Sequence, residues 1–308
     1  MSTKHPQHNH QLAVGTRLHL GNALSPPEAE YFRDLLQKFS DFASSCNAKH
    51  AYVAVDSTPE FPNYRLEDVI QSLTATINSN LPPASVSVPL QIIPVTPWNA
   101  FVPALNAIAS RAAQDGASLC LFCSAETSTS PESIQMLLHH MDDHNVLVAG
   151  VVLPGHDYQQ DSVQPLNGRT TPWNTLAVWN LAKLTLTGFP LVADGLHYPP
   201  LNNNNSNDNN GDGQATTTPQ PLRQTAPAAG VEEVSTIALL QHVLGGPTQA
   251  RAKLVRLLPD GMTTWDQEFE GNRQRQEWHE YKMKSKLERA AVHLKLLNLT
   301  DAGVVEHC

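Results

Sequence analysis

Across its first two-thirds the chain alternates short apolar runs with stretches in which apolar residues recur at helical spacing. That alternation points to a mainly parallel β-sheet flanked by helices, a Rossmann-like α/β fold. Strands are expected at 16–20, 51–55, 90–93, 118–123 and 146–152. Between the first two, Ser25-Pro-Pro-Glu opens a helix that carries Tyr31, Leu35, Leu36 and Phe39 at helical spacing, with prolines and a carboxylate at its start. Residues 66–81 and 101–113 read as further helices, the second with Leu105, Ile108, Ala109 and Ala112 on one face. Ser130-Pro131-Glu132 starts a fourth, which runs through Ile134, Leu137, Leu138 and Met141.

The 308 residues, 41% of them hydrophobic, suffice for one large core. Residues 1–14 read as a polar, disordered leader, and 15–258 as the α/β domain. Within that domain the composition of 201–230 shifts to Asn, Asp, Gly, Thr, Gln and Pro, which can bury almost nothing. Apolar sequence resumes after it, so the segment reads as a disordered surface insertion; an inter-domain linker is the other reading. Residues 259–308 are charged with an apolar helical stripe, including Leu287, Ala291, Leu294 and Leu297, and are expected to form a helical extension packed on the core.

A formal charge of −9 gives no long-range attraction for nucleic acid or anionic lipid. No apolar run approaches the ~20 residues of a transmembrane helix. A cytoplasmic location is the default expectation. Four cysteines do not make a disulfide framework in a chain of this length. Cys120 and Cys123 form a C-x-x-C, but on a strand positions i and i+3 face opposite ways, so both are expected in packing.

In open α/β sheets ligands bind beyond the carboxyl ends of the strands. Two loops qualify: Asp56-Ser57-Thr58 after the second strand and Ser124-Ala125-Glu126-Thr127 after the fourth. A carboxylate at the first can accept hydrogen bonds from a base or ribose, and Glu126 on the second can face a cation and a diphosphate. Asp56 reads equally well as a turn residue or a helix cap.

The run from Asn99 through Asn106 and Ala107 to the 118–126 stretch ending Ser124-Ala125-Glu126, followed by Ser130-Pro131-Glu132, resembles the core of the family-two glycosyltransferases with a GT-A fold. Three further segments fit that template in order: the strand ending at Asp56, the 172–190 segment leading into Gly188-Phe189, and Gly230-Val-Glu-Glu. The resemblance implies a nucleotide-diphosphate sugar as donor, an acceptor hydroxyl and inverting transfer. It implies that Asp56, Ser57, Asn99 and Ser124 contact the nucleotide and that Glu126 holds a divalent cation, Mn²⁺ or Mg²⁺. By the same resemblance Trp173 and Asn174 lie on the acceptor side, 172–190 includes a helix, Glu233 is the catalytic base and Glu232 holds the acceptor or orients its neighbour.

Two departures bear on activity. Ser124 stands where the first Asp of Asp-x-Asp is expected, which weakens cation binding. Glu233 stands where the base is an Asp, and displacing a catalytic group by ~1 Å costs on the order of a hundredfold in rate. A catalytically inactive binding or scaffold protein is therefore the alternative function. Ordinary first-turn carboxylates, favoured by the helix dipole, are the alternative reading of Glu232 and Glu233.

Overall fold

A computed structural model describes residues 10–20, 25–59, 61–81, 87–197, 223–224, 231–257, 264–265, 273–299 and 303–308. The first half runs β1 (Leu12–Leu18), α1 (Ala29–Ser45), β2 (His50–Asp56), α2 (Leu66–Ser79), β3 (Leu90–Val95), α3 (Val102–Gln114), β4 (Leu119–Cys123), β5 (Thr127–Ser128) and α4 (Pro131–His139). It continues with β6 (Val146–Val151), β7 (Ser162–Pro165), β8 (Leu176–Asn180), α5 (Leu181–Leu184), a 3₁₀ turn at Leu191–Asp194, β9 (Leu196–His197) and β10 (Arg223–Gln224). The last elements are α6 (Glu232–Val243), β11 (Arg251–Val255), β12 (Thr264–Trp265), α7 (Arg273–Leu296) and β13 (Val304–His307).

Nine strands form one sheet in the order β3-β2-β1-β4-β8-β6-β11-β13-β7. β8 is antiparallel to both its neighbours and β7 to β13, while the other pairings are parallel, so the sheet is mixed and mainly parallel. The chain builds outward from β1 to β3 and then returns to place β4 on the other side of β1. The carboxyl ends of β1 and β4 therefore flank a reversal of strand order, the position at which open α/β sheets bind ligands.

Helices cover both faces. On one side α1, α2 and α4 bury Phe32, Leu36, Ile70 and Ile134 against Val14, Val53, Leu121 and Val178. On the other, α3, α6 and α7 bury Leu105, Ile108, Ile237 and Leu294 with Tyr52, Phe122 and Trp179. Strand residues alternate between the two cores, and Cys120 and Cys123 fall in different ones, as their spacing on a strand requires.

Several boundaries differ from the sequence expectation. β1 starts at Leu12, inside the supposed leader, because Leu12, Ala13 and Val14 are apolar enough to be buried between β2 and β4; residues 1–9 lie outside the described residues. In α1 Phe32, not Tyr31, faces the core; Tyr31 is half exposed. The 172–190 segment, expected to include a helix from the resemblance, forms β8 followed by the single turn α5. Leu176 and Val178 join one core while Ala177 and Trp179 join the other, so both faces are apolar and the two-residue period is hidden.

The 201–230 insertion lies outside the described residues except Arg223 and Gln224, which pair with β9. The 259–308 extension is more than helical: Val304–His307 enters the central sheet between β11 and β7. Among the described residues no helix is long and apolar enough to cross a membrane.

Candidate active site

The carboxylates at the start of α6 lie at the carboxyl edge of the sheet. Glu232 and Glu233 are 3% and 4% exposed. A Glu233 carboxylate oxygen accepts the backbone N–H of Asn174 at 2.5 Å, just before β8. Glu232 Oε1 lies 3.6 Å from Arg17 Nη1, which reaches it from β1. The Arg17 guanidinium also covers the Phe101 ring at 4.7 Å. Four polar atoms in this cluster are buried with no hydrogen-bond partner among the described residues: Arg17 Nη1, Asn174 Nδ2, Glu232 Oε2 and Glu233 Oε2. Such orphans are costly in a folded core unless a ligand or solvent satisfies them.

Burial, and then the charge of Glu232 beside it, push the Glu233 carboxyl up to about 7. Lys286 and the Asn174 N–H oppose that rise. A carboxyl titrating near neutrality can accept or release a proton under ordinary conditions.

Asp194, at the end of the 3₁₀ turn, contributes a third buried acid, 2% exposed. Its two oxygens accept the N–H groups of Ala100 (3.3 Å), Phe101 (2.9 Å) and Val102 (3.2 and 3.1 Å), capping α3 from 92 residues away in sequence. Burial raises its pKa, the three N–H groups lower it, and Glu232 raises it further. Asn106 on α3 fixes the adjoining loop: it accepts from Phe189 N–H at 2.8 Å and donates to the Phe189 carbonyl at 2.9 Å. Gly188 has φ +65°, and a Cβ there would meet Asn106 Oδ1 at 2.8 Å. The Asn of α3 and the Gly-Phe pair are thus one structural unit.

At the end of β4, Ser124 Oγ donates to Glu126 Oε2 at 2.7 Å, and Ser124 N–H donates to the Thr175 carbonyl. This couples the Ser124 loop to the residue after Asn174 and so to the Glu233 cluster. Glu126 is exposed. Among the described residues no three His, Cys, Asp or Glu side chains group as a metal site would require. Among the described residues Ser124 and Glu126 do not by themselves make a complete site for a divalent cation.

Asp56 is 6% exposed and accepts the Thr58 N–H at 2.8 Å, the turn role open to it from the sequence. Ser57 N–H donates to the Val95 carbonyl, and its hydroxyl is buried with no partner among the described residues. Asn99 is exposed with φ +55°, in the loop after β3. These three share the carboxyl edge of the sheet with Ser124.

The acceptor-side expectation needs correction. Trp173 is 3% exposed, its indole N–H donates to the Gly168 carbonyl, His156 stacks on it at 3.7 Å, and Lys286 Nζ lies 3.1 Å from its ring centroid. A ring enclosed in this way offers no face to a sugar. Asn174 is also buried, its side-chain oxygen accepting from Trp179 Nε1 at 2.8 Å. Both nitrogens of His156 are engaged, one accepting from Leu153 N–H and the other donating to the Thr171 carbonyl. Burial pushes its pKa down to about 3, so it is a neutral packing residue.

Sequence pattern does not single out Arg17, Asp194 or Lys286. Arg17 carries a signal, a charged residue inside an apolar strand; Asp194 reads only as part of an Asp-Gly turn. A cavity of about 500 Å³, lined by residues including Ser118, Leu119, Asn180 and Leu181, lies at the opposite edge of the sheet. The buried ionisable groups Glu232, Glu233 and Asp194 gather instead at the carboxyl edge.

No family model matches the sequence, and no curated protein matches it. Solved structures similar to it are so only at low identity. S. aureus TarS 1-349 in complex with UDP-GlcNAc is 13% identical, with a TM-score of 0.36 over 58% of this chain and 48% of that one. M. tuberculosis glucosyl-3-phosphoglycerate synthase is 9% identical, with a TM-score of 0.33 over 62% of this chain and 61% of that one. The chain thus spans about half the length of the TarS chain and less than two-thirds of the synthase. The mixed, mainly parallel α/β architecture stands on the strand order itself.

Proposed function

We propose that the chain is a glycosyltransferase that takes a sugar from a nucleotide-diphosphate donor to an acceptor hydroxyl with inversion, Glu233 acting as the base. The observation that carries this reading is the buried Glu232 and Glu233 pair at the start of α6, linked through Asn174 and Thr175 to the Ser124 loop. The sequence resemblance supplies the donor class.

Near its pKa of about 7 Glu233 takes the proton of the acceptor hydroxyl, whose oxygen then attacks the anomeric carbon as the bond to the diphosphate breaks. Arg17 offsets the charge of Glu232 and holds that side chain against β1. Asp56, Ser57, Asn99 and Ser124 are the proposed nucleotide contacts, grouped at one edge of the sheet. A divalent cation arriving with the donor diphosphate would use Glu126 as its protein ligand and supply positive charge to the leaving group.

A second reading, a nucleotide-sugar-binding protein without turnover, is favoured by one observation: Glu233 is only 4% exposed. The test is to incubate the full chain with a panel of nucleotide sugars, with Mn²⁺ or Mg²⁺, and measure nucleotide release. Turnover abolished by Glu233→Gln supports the transferase. Thermal stabilisation by a nucleotide sugar with no turnover selects the binding protein, and neither response with any donor refutes both.

A further inference from the structure

From residue 285 to the end of α7, basic side chains turn inward while several apolar ones are left outside. Lys286, Arg289, Ala290, His293 and Leu294, at i, i+3, i+4, i+7 and i+8, are all at most 7% exposed, whereas Leu287, Val292 and Leu296 are 38–42% exposed. Turning Lys and Arg inward at the expense of apolar residues is costly unless anions lie opposite. α6, which begins with Glu232 and Glu233, and the 3₁₀ turn ending in Asp194 both pack against α7.

We propose that Lys286 is a positioning residue for Glu233, so that the C-terminal helix completes the active site. The inference rests on the reading of Glu233 as the base. The connection runs through Trp173: Lys286 Nζ lies over the Trp173 ring, and the next residue, Asn174, holds the Glu233 carboxylate through its N–H. The register of α7 is fixed at the same point, because a Cβ at Gly168 would meet the Lys286 carbonyl oxygen at 2.5 Å, and the Gly168 carbonyl receives the Trp173 indole N–H. Lys286 favours the ionised form of Glu233 and the neutral form of His156, which places its charge within reach of both. The other charged or titratable groups buried on the elements around the pair include Arg17 from β1, Glu232 on α6 itself, Asp194 from the 3₁₀ turn, and Arg289 and His293 on the same inward face of α7.

The test compares Lys286→Met, Lys286→Gln and Lys286→Arg in the full chain. ¹³C NMR of labelled glutamate carboxyls, with Glu233→Gln identifying the resonance, follows Glu233 without any turnover. Loss of the cation should move its titration up by about one pH unit in the Met and Gln chains, and Arg should return it toward the wild-type position. In turnover, the acidic limb of the kcat profile should move up with it while donor KM changes less than about twofold. An unmoved titration in a folded Met or Gln chain overturns the proposal. So does failure of both to fold while the Arg chain folds, the signature of a merely structural cation. A shifted titration in a protein that turns over no donor upholds the Lys286 role and removes the transferase reading instead.

Discussion

Glu233→Gln has a consequence for stability that needs no substrate. Folding raises the Glu233 carboxyl from its ordinary 4.5 to about 7. The native state then holds a proton that the unfolded chain releases, and stability falls as pH rises through that window. This contribution is fully present below about pH 4.5 and lost once pH passes about 7. A tenfold change in proton affinity corresponds to about 1.4 kcal/mol, so the whole window amounts to about 3 kcal/mol. That is a sizeable part of the ~5–15 kcal/mol that holds a domain folded.

Glutamine keeps the oxygen that accepts from Asn174 N–H, supplies an amide that can donate toward Glu232, and carries no charge. Relative to wild type the variant should therefore be near neutral at about pH 4.5 and about 2–3 kcal/mol more stable at about pH 8. Urea unfolding at half-unit pH intervals, with m-values checked for constancy, measures the difference. A difference independent of pH, or a variant less stable than wild type at the upper end, would show that the carboxylate is solvated or firmly paired, and the reasoning about a strained buried pair would fail.

Three further outcomes are expected. Asp194→Ala removes the acceptor for three N–H groups at the start of α3 and should cost about 2–4 kcal/mol in urea unfolding; Asp194→Asn, which keeps one oxygen, should cost less than half as much, and equal losses would contradict the capping role. Gly188→Ala should cost about 1–3 kcal/mol, since it combines a positive φ with a Cβ against Asn106. Combined with Asn106→Ala its cost should shrink, and strict additivity in the double-mutant cycle would separate the two residues. Mn²⁺ alone at about 1 mM should leave Tm within about 1 °C, because one exposed, hydrogen-bonded carboxylate makes a poor site; a larger rise would mean that the chain builds a metal centre of its own.

The parts of the fold legible in the sequence are those where local pattern and tertiary environment agree. Leu105, Ile108, Ala109 and Ala112 read as one helix face and form it, and the opposed Cys120 and Cys123 follow from strand geometry alone. β8 is illegible because burial on both faces erases its alternation. The positions of Glu232 and Glu233 at a helix start are readable, yet their enclosure is not: burial depends on β1, β8, the 3₁₀ turn and α7 converging from distant parts of the chain. Trp173 shows the same limit in reverse, since an aromatic beside a proline suggests a platform until His156 and Lys286 are found against it.

α7 makes the limit physical. A sequence reading assigns the inward face to the apolar residues because burial of apolar area is the usual driving force for packing a helix. Here Lys286 is buried beside a region that carries two buried carboxylates, while Leu287 is left outside. Neither choice makes sense alone, because a buried Glu pair without cations would be strongly disfavoured and a buried Lys without anions would be as well. The two features constrain each other across more than fifty positions of sequence, which no local window can register. The mutual dependence also gives a reason for a carboxyl that titrates near neutrality: without the cation on α7 burial would hold it protonated to higher pH, and with closer pairing it would ionise at lower pH.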